Sequence, residues 1–274
     1  MADLSDFYDL DSTLGDDEIM IRDTVSRFVE NEFTPIVAEH FEAGTFPMEL
    51  VPTIADMGLL GMLLDGYGCA GASASAYGIA CRELESGDSG LRSFVSVQGS
   101  LCMFPIWKYG SEEQKQQWLP RMASGEIIGC FGLTEPDHGS DPSSMTTRAV
   151  KVGNKWVLNG AKRWITNAGI AQLAIVWANT AEGFRGFLVP TDSPGFEARK
   201  IENKLSLRAS ITGEFYMTDV EVPESMRLPD AMSIGAPLSC LSEARYGIAY
   251  GAVGVARSCY RAALEYQLDR PQFG

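Results

Sequence analysis

Residues 131–147 read FGLTEPDHGSDPSSMTT. An apolar, strand-like start gives way to Thr134, Glu135, Asp137, His138, Ser140, Asp141, Ser143 and Ser144, set among two prolines and two glycines. Such a loop can present hydroxyl and backbone donors to a ligand rich in acceptors. Loops held by a rigid scaffold often carry function, although a solvated turn has a similar composition. Arg92 is the second candidate. Residues 93–107 hold no charged side chain, so a helix there is expected to be buried, and a buried guanidinium needs an anion. Asp88 at i−4 or Glu85 would each serve.

Three other motifs carry less. GYGCAG at 66–71 fits G-x-G-x-x-G, with Glu85 and Asp88 about 20 residues on, where a ribose-binding acid would stand. Helical patterns follow it on both sides, so no βαβ unit closes, and a glycine-rich turn is expected. GDSG at 87–90 resembles a serine-protease loop, but that chemistry needs a histidine base in a β-rich host. The chain has two histidines, His40 and His138, and Ser89 falls in helical sequence. Asp88 or Ser89 is therefore expected to cap a helix. His138 is read as an exposed loop residue, because its neighbours Asp137, Ser140 and Asp141 are too close in sequence for triad geometry.

The elements that must position these residues change character along the chain. GDDEIMIRDTVSRFVENEF places Ile19, Ile21, Val25, Phe28 and Val29 on one stripe behind a first turn of acids. Helices are also expected over 48–57, 72–86 and 89–107. Another begins at Ser111, with Gln114 at the capping-box position. Near residue 125 the period becomes that of strands. TTRAVKV and KWVLNG flank Gly153-Asn154, a hairpin signal. Further short strand patterns follow to residue 222, predicting a sandwich or barrel. One long Ala-rich helix covers 237–269, with apolar residues nearly all round it, as in a helix buried among others. Its partners are expected in another subunit or in a further C-terminal segment. The expected fold class is α+β: a helical domain over 1–124, a β-barrel domain over 125–229, and the first helix of an incomplete helical bundle over 230–274.

Bulk properties exclude some functions. The net charge of −14 disfavours nucleic acid. No apolar run reaches the ~20 residues needed to span a bilayer. The first 20 residues hold seven acids and no Lys or Arg, unlike a secretory or transit signal, so a cytoplasmic setting is expected. The six cysteines form no C-x-x-C pair and mostly lie in apolar runs. Buried free thiols are expected, with no disulfide frame and no metal site.

FGLTEPDHGSD, NGAKRWITN, RGFLVP, LRASITGEFYMTDVEVP and RPQFG occur in an order that resembles the acyl-CoA dehydrogenase family of flavoproteins. GYGCAG, RELESGDSGLRS, SLRASITGE and LSEARYGIAYGA resemble its glutaryl-CoA branch most. The resemblance spans essentially the whole chain. It implies an FAD-dependent enzyme that dehydrogenates an acyl-CoA, passes electrons to electron-transfer flavoprotein and assembles as a homotetramer. Phe131, Leu133, Thr134, Gly139 and Ser140 would line the flavin from one side, with Trp164, Ile165 and Thr166 on the other. Arg92, Ser93 and Ser96 would hold the distal carboxylate of the acyl chain, and Ser140 and Arg245 would contact CoA. Arg270 would reach the FAD of a neighbouring subunit. The family's catalytic glutamate is expected beyond Gly274, so no catalytic residue is assigned within the chain. A non-catalytic flavin- or CoA-ester-binding fragment and a different short-chain dehydrogenase are the alternatives.

Overall fold

The computed structural model describes residues 9–273. Residues 1–8 of the acid-rich start, on which part of the compartment expectation rests, lie outside the described residues. Helix α1 (Asp16–Phe28) opens with Asp16, Asp17 and Glu18 in its first turn and buries Val25 and Phe28. Acids there complement the positive end of the helix dipole. After a wide turn (Val29–Phe33), α2 (Thr34–Ala43) stops at Gly44 in the left-handed region, with φ 65°. A short α3 (Val51–Asp56) and the Gly66–Gly71 turn follow. In that turn Gly66, Gly68 and Gly71 all have positive φ, and no strand adjoins it, so GYGCAG is a turn.

Helix α4 (Ala74–Gly87) begins at Ser73, whose hydroxyl accepts from Ala76 N. Asp88 caps α5 (Ser89–Ser96) by accepting from Gly90 N at 2.6 Å. The helix expected over 89–107 is not uniform. A wider, π-helical stretch (Val97–Met103) separates α5 from α6 (Phe104–Tyr109). Within that stretch Gln98 is fully buried, donating to the carbonyls of Met122 and Ile127 and accepting from Gly129 N. This amide ties the helical layer to the first strand. Helix α7 (Glu112–Ala123) carries the expected capping box between Ser111 and Gln114.

Seven strands form one sheet: β1 (Gly129–Gly132), β2 (Arg148–Val152), β3 (Lys155–Thr166), β4 (Leu173–Thr180), β5 (Gly183–Pro190), β6 (Phe196–Lys200) and β7 (Thr212–Pro223). The sheet curls as half a barrel, in keeping with the expected barrel-type middle domain. β2 and β3 form the hairpin around Gly153, with φ 61°. β1 runs parallel to Leu173–Val176 of β4, and β2 resumes in the same direction with Arg148 opposite Asn179. Two short strands thus share one edge of β4, and residues 133–147 leave the sheet between them.

Helix α8 (Gly235–Asp269) lies against α4. Gly247, Gly251 and Gly254 recur at i, i+4 and i+7 on the buried face, where side chains would strike Tyr77, Glu85 and Arg82. Reciprocally, Gly78 of α4 admits the Tyr250 ring. Away from α4 the helix exposes Ile248, Val253, Tyr260, Tyr266 and Leu268, as expected of a helix whose other partners lie outside these residues. The cysteines are all free, with Cys81, Cys102, Cys130 and Cys240 buried. Cys69 is only half-buried and Cys259 is exposed, against expectation, because Cys259 sits on the outer face of α8. Among the described residues no helix is long and apolar enough to cross a membrane.

Candidate functional site

The 133–147 loop spends most of its polar groups on itself. Glu135 and His138 exchange backbone hydrogen bonds in a tight turn. The Glu135 carboxylate then reaches the far end of the loop, accepting from Thr146 N (2.6 Å), Thr146 Oγ1 (2.8 Å) and Thr147 N (2.9 Å). Asp141 accepts from the hydroxyls of Ser143 and Ser144. Asn179 Nδ2 donates to Met145 O and fixes the return. Lys162, 0% exposed, donates to Glu135 Oε1 at 3.0 Å and to Leu133 O at 3.0 Å, with Met145 Sδ at 3.7 Å. Burial disfavours the Glu135 charge, yet Lys162 and the Thr146 and Thr147 donors outweigh it and hold the carboxyl down to about 2. Burial pushes Lys162 down to about 8, even with Glu135 beside it.

Three loop hydroxyls are left over: Thr147 Oγ1 is buried without a hydrogen-bond partner among the described residues, and two others face a cavity. Those of Thr134 and Ser140 make no hydrogen bond among the described residues, and both residues line a cavity of about 330 Å3. That volume lies in the ~300–1,000 Å3 range of small-molecule sites. Phe131, Leu133 and Gly139 line the same side. The end of β3 also lines the cavity, with Trp164, Ile165 and Thr166, whose hydroxyl makes no hydrogen bond among the described residues.

A bulge aims the indole. The β3–β7 register shifts between Arg163 and Ile165, and Trp164 takes φ 61°. A left-handed tryptophan is uncommon and costs strain, as found at functional sites. The bulge leaves Ile165 in the core and turns Trp164 outward at 57% exposure, so it is not a core residue of the sheet.

The helices close the cavity. Val97 and Leu101 come from the π-helical stretch, and Leu238, Leu241 and Arg245 from α8. Arg245 is exposed and makes no ion pair among the described residues, leaving a cation at the rim. Sequence reasoning missed Val97, Leu101, Leu238 and Leu241, whose apolar types are indistinguishable from core residues. It also missed Lys162, although a lysine amid alternating strand residues is a signal.

Arg92, Ser93, Ser96 and Arg270 lie outside the lining. Arg92 is buried and its Nε donates to the buried Glu85, not to Asp88. Its two terminal nitrogens make no hydrogen bond among the described residues. Ser93 stands one turn before Val97, and Ser96 is buried one turn after Arg92. Arg270 Nη1 donates to the Tyr266 hydroxyl at 2.6 Å at the far end of α8, remote in sequence from the α8 residues of the cavity. His138 is half-buried and meets no serine in triad geometry.

Known proteins share this fold. The acyl-CoA dehydrogenase N-terminal domain matches residues 15–126, and the acyl-CoA dehydrogenase middle domain matches 130–220. The chain belongs to the acyl-CoA dehydrogenase family. A glutaryl-CoA dehydrogenase from Mycobacterium smegmatis, solved in complex with FADH2, superposes with a TM-score of 0.96 at 56% identity, over 97% of this chain and 69% of that one. Butyryl-CoA dehydrogenase from Megasphaera elsdenii superposes at 0.90 with 33% identity, over 95% of this chain and 71% of that one. The mitochondrial short-chain specific acyl-CoA dehydrogenase of Rattus norvegicus is 37% identical over 262 residues, 93% of this chain and 64% of its own length. The chain thus spans about two thirds of the family members it matches.

Proposed function

We propose that the cavity holds the flavin of FAD, and that the chain is the flavin- and acyl-recognition part of an acyl-CoA dehydrogenase of the glutaryl-CoA type. One observation carries this. The hydroxyls of Thr134, Ser140 and Thr166 make no hydrogen bond among the described residues, and all three residues line one cleft that an indole also walls. A ring system rich in carbonyl and nitrogen acceptors fits that donor set, and Trp164 offers it a flat apolar face. Bound FAD would supply the two-electron acceptor for dehydrogenation of the acyl chain. Thr134, Ser140 and Thr166 orient the ring, and their donors favour negative charge on it. Val97, Leu101, Leu238 and Leu241 exclude water from the acyl side. Arg245 at the rim suits the phosphates of CoA.

Arg92 is the specificity element of the proposal. Glu85 takes its Nε, and the two remaining nitrogens match the fork that a distal carboxylate accepts. Substrate is then a dicarboxylic acyl-CoA, dehydrogenated and decarboxylated, with electron-transfer flavoprotein as the electron partner. Arg270 serves a second copy in a homo-oligomer. A second reading, a short-chain monocarboxylic acyl-CoA, is favoured by the Glu85–Arg92 pair, which already neutralises the guanidinium.

The test is a titration of the purified chain with FAD, followed by flavin absorbance and fluorescence. Saturable binding is expected, and its absence overturns the flavin reading. Glutaryl-CoA should then perturb the flavin spectrum at lower concentration than butyryl-CoA, and Arg92→Met should erase the preference. Equal response to both ligands supports the second reading.

A further inference from the structure

Lys162 lies two residues before Trp164, on the strand that forms one wall of the cavity. Its three acceptor contacts all lie on the loop that also lines the cavity. They are the start of the loop (Leu133 O), its tight turn (Glu135 Oε1) and its return (Met145 Sδ). A backbone bond from Arg163 N to Thr134 O, 2.9 Å, runs alongside. Lys162 is closed to solvent and Glu135 nearly so, at 3% exposure. Their charges are therefore little screened by water or salt. Gly132, in β1, has no side chain, and a Cβ there would stand 2.5 Å from Phe215 Cζ and 3.3 Å from Lys162 Cγ.

We propose that Lys162 and Glu135 are positioning residues for the flavin, fixing the distance between the Thr134 and Trp164 walls and setting the electrostatic potential behind the ring. This rests on the flavin reading above. Neither residue lines the cavity, so both act through others: Lys162 through Leu133 and Thr134, Glu135 through the loop it staples. The pair is neutral as a whole, so removing either member alone leaves an opposite unpaired charge behind the ring. A buried charge is costly and acts strongly at short range. Removing the cation disfavours uptake of negative charge by the ring, and removing the carboxylate favours it.

The experiment compares the parent chain with Lys162→Met and Glu135→Gln at pH 6, with Val222→Ala, in the sheet core away from the cavity, as the control for general destabilisation. FAD affinity is read by fluorescence and the potential of bound FAD by dye equilibration. Lys162→Met should weaken FAD by roughly tenfold or more, because the loop that presents Thr134 loses the bonds that hold it in place, and lower the potential. Glu135→Gln should raise the potential, and Val222→Ala should change neither. A merely structural pair would give potential shifts of one sign, or none, tracking thermal stability, and either result overturns the inference while leaving the flavin reading intact. If Lys162→Met does not fold, the sign of the Glu135→Gln shift decides alone. A parent chain that takes up no FAD overturns the flavin reading, and this inference with it.

Discussion

Gly254 of α8 lies so close to α4 that a Cβ on it would stand 2.0 Å from the carbonyl oxygen of Arg82. Alanine is the better helix former by about 1 kcal/mol, but here it meets backbone that cannot rotate away. Overpacking of this kind costs ~1–3 kcal/mol or more. Gly254→Ala should therefore lower the thermal midpoint, and an unchanged or raised midpoint would show that α8 does not dock through this seam.

Glu85 and Arg92 are both buried and paired, with Gly251 making room beside them. Removing Arg92 alone strands a buried carboxylate, at about 3–5 kcal/mol. Arg92→Met should therefore destabilise the chain strongly, and adding Glu85→Gln should recover much of the loss. Denaturant titration of the two variants checks this. Equal stability of single and double variants would place the partner of Arg92 elsewhere.

Thr134 lines the cavity, and its hydroxyl makes no hydrogen bond among the described residues. Thr134→Val keeps the shape and deletes the donor. Bound FAD should lose about 1–3 kcal/mol, the cost of leaving a buried acceptor unpaired, with thermal stability of the FAD-free chain unchanged. A fluorescence titration that finds parent and variant alike removes Thr134 from the site.

Acid should weaken the fold over a defined window. Burial opposes the charge of Glu135 and of Glu224. Lys162 and the threonine donors outweigh it at Glu135, and Lys151, Arg227 and Trp156 outweigh it at Glu224, holding both at about 2 against 4.5 for a free glutamate. Between those values the unfolded chain binds more protons, so stability present above about pH 4.5 is lost as pH falls toward about 2. Lys162, depressed to about 8, has the opposite consequence at the alkaline end: the unfolded chain binds more protons up to 10.5, so this group favours folding more as pH rises through that range. Chemical denaturation of parent and Glu135→Gln from pH 6 to pH 2.5 should show a shallower acid loss in the variant.

Much of the local structure was legible in the residues alone. The acids before Ile19, the Asp88 cap, the Ser111–Gln114 box and the Gly153 turn were legible because helix starts and hairpins are set within three or four residues. The motif order located the cavity residues Thr134, Ser140, Trp164 and Thr166 through the family resemblance, not through their spacing. Tertiary structure alone decided what those residues face. The loop leaves the sheet because β1 and β2 share one edge of β4, and no local pattern encodes that sharing. Lys162 reaches Glu135, 27 residues away, only in the register that β3 adopts beside the loop. Arg92 was legible as buried, but Asp88 and Glu85 were equal candidates on paper. Asp88 was taken up by the helix cap, and Glu85 was left facing the guanidinium beside Gly251. Local signals act over one helical turn, whereas these pairings depend on how strands and helices stack, which becomes fixed only when the whole core is packed.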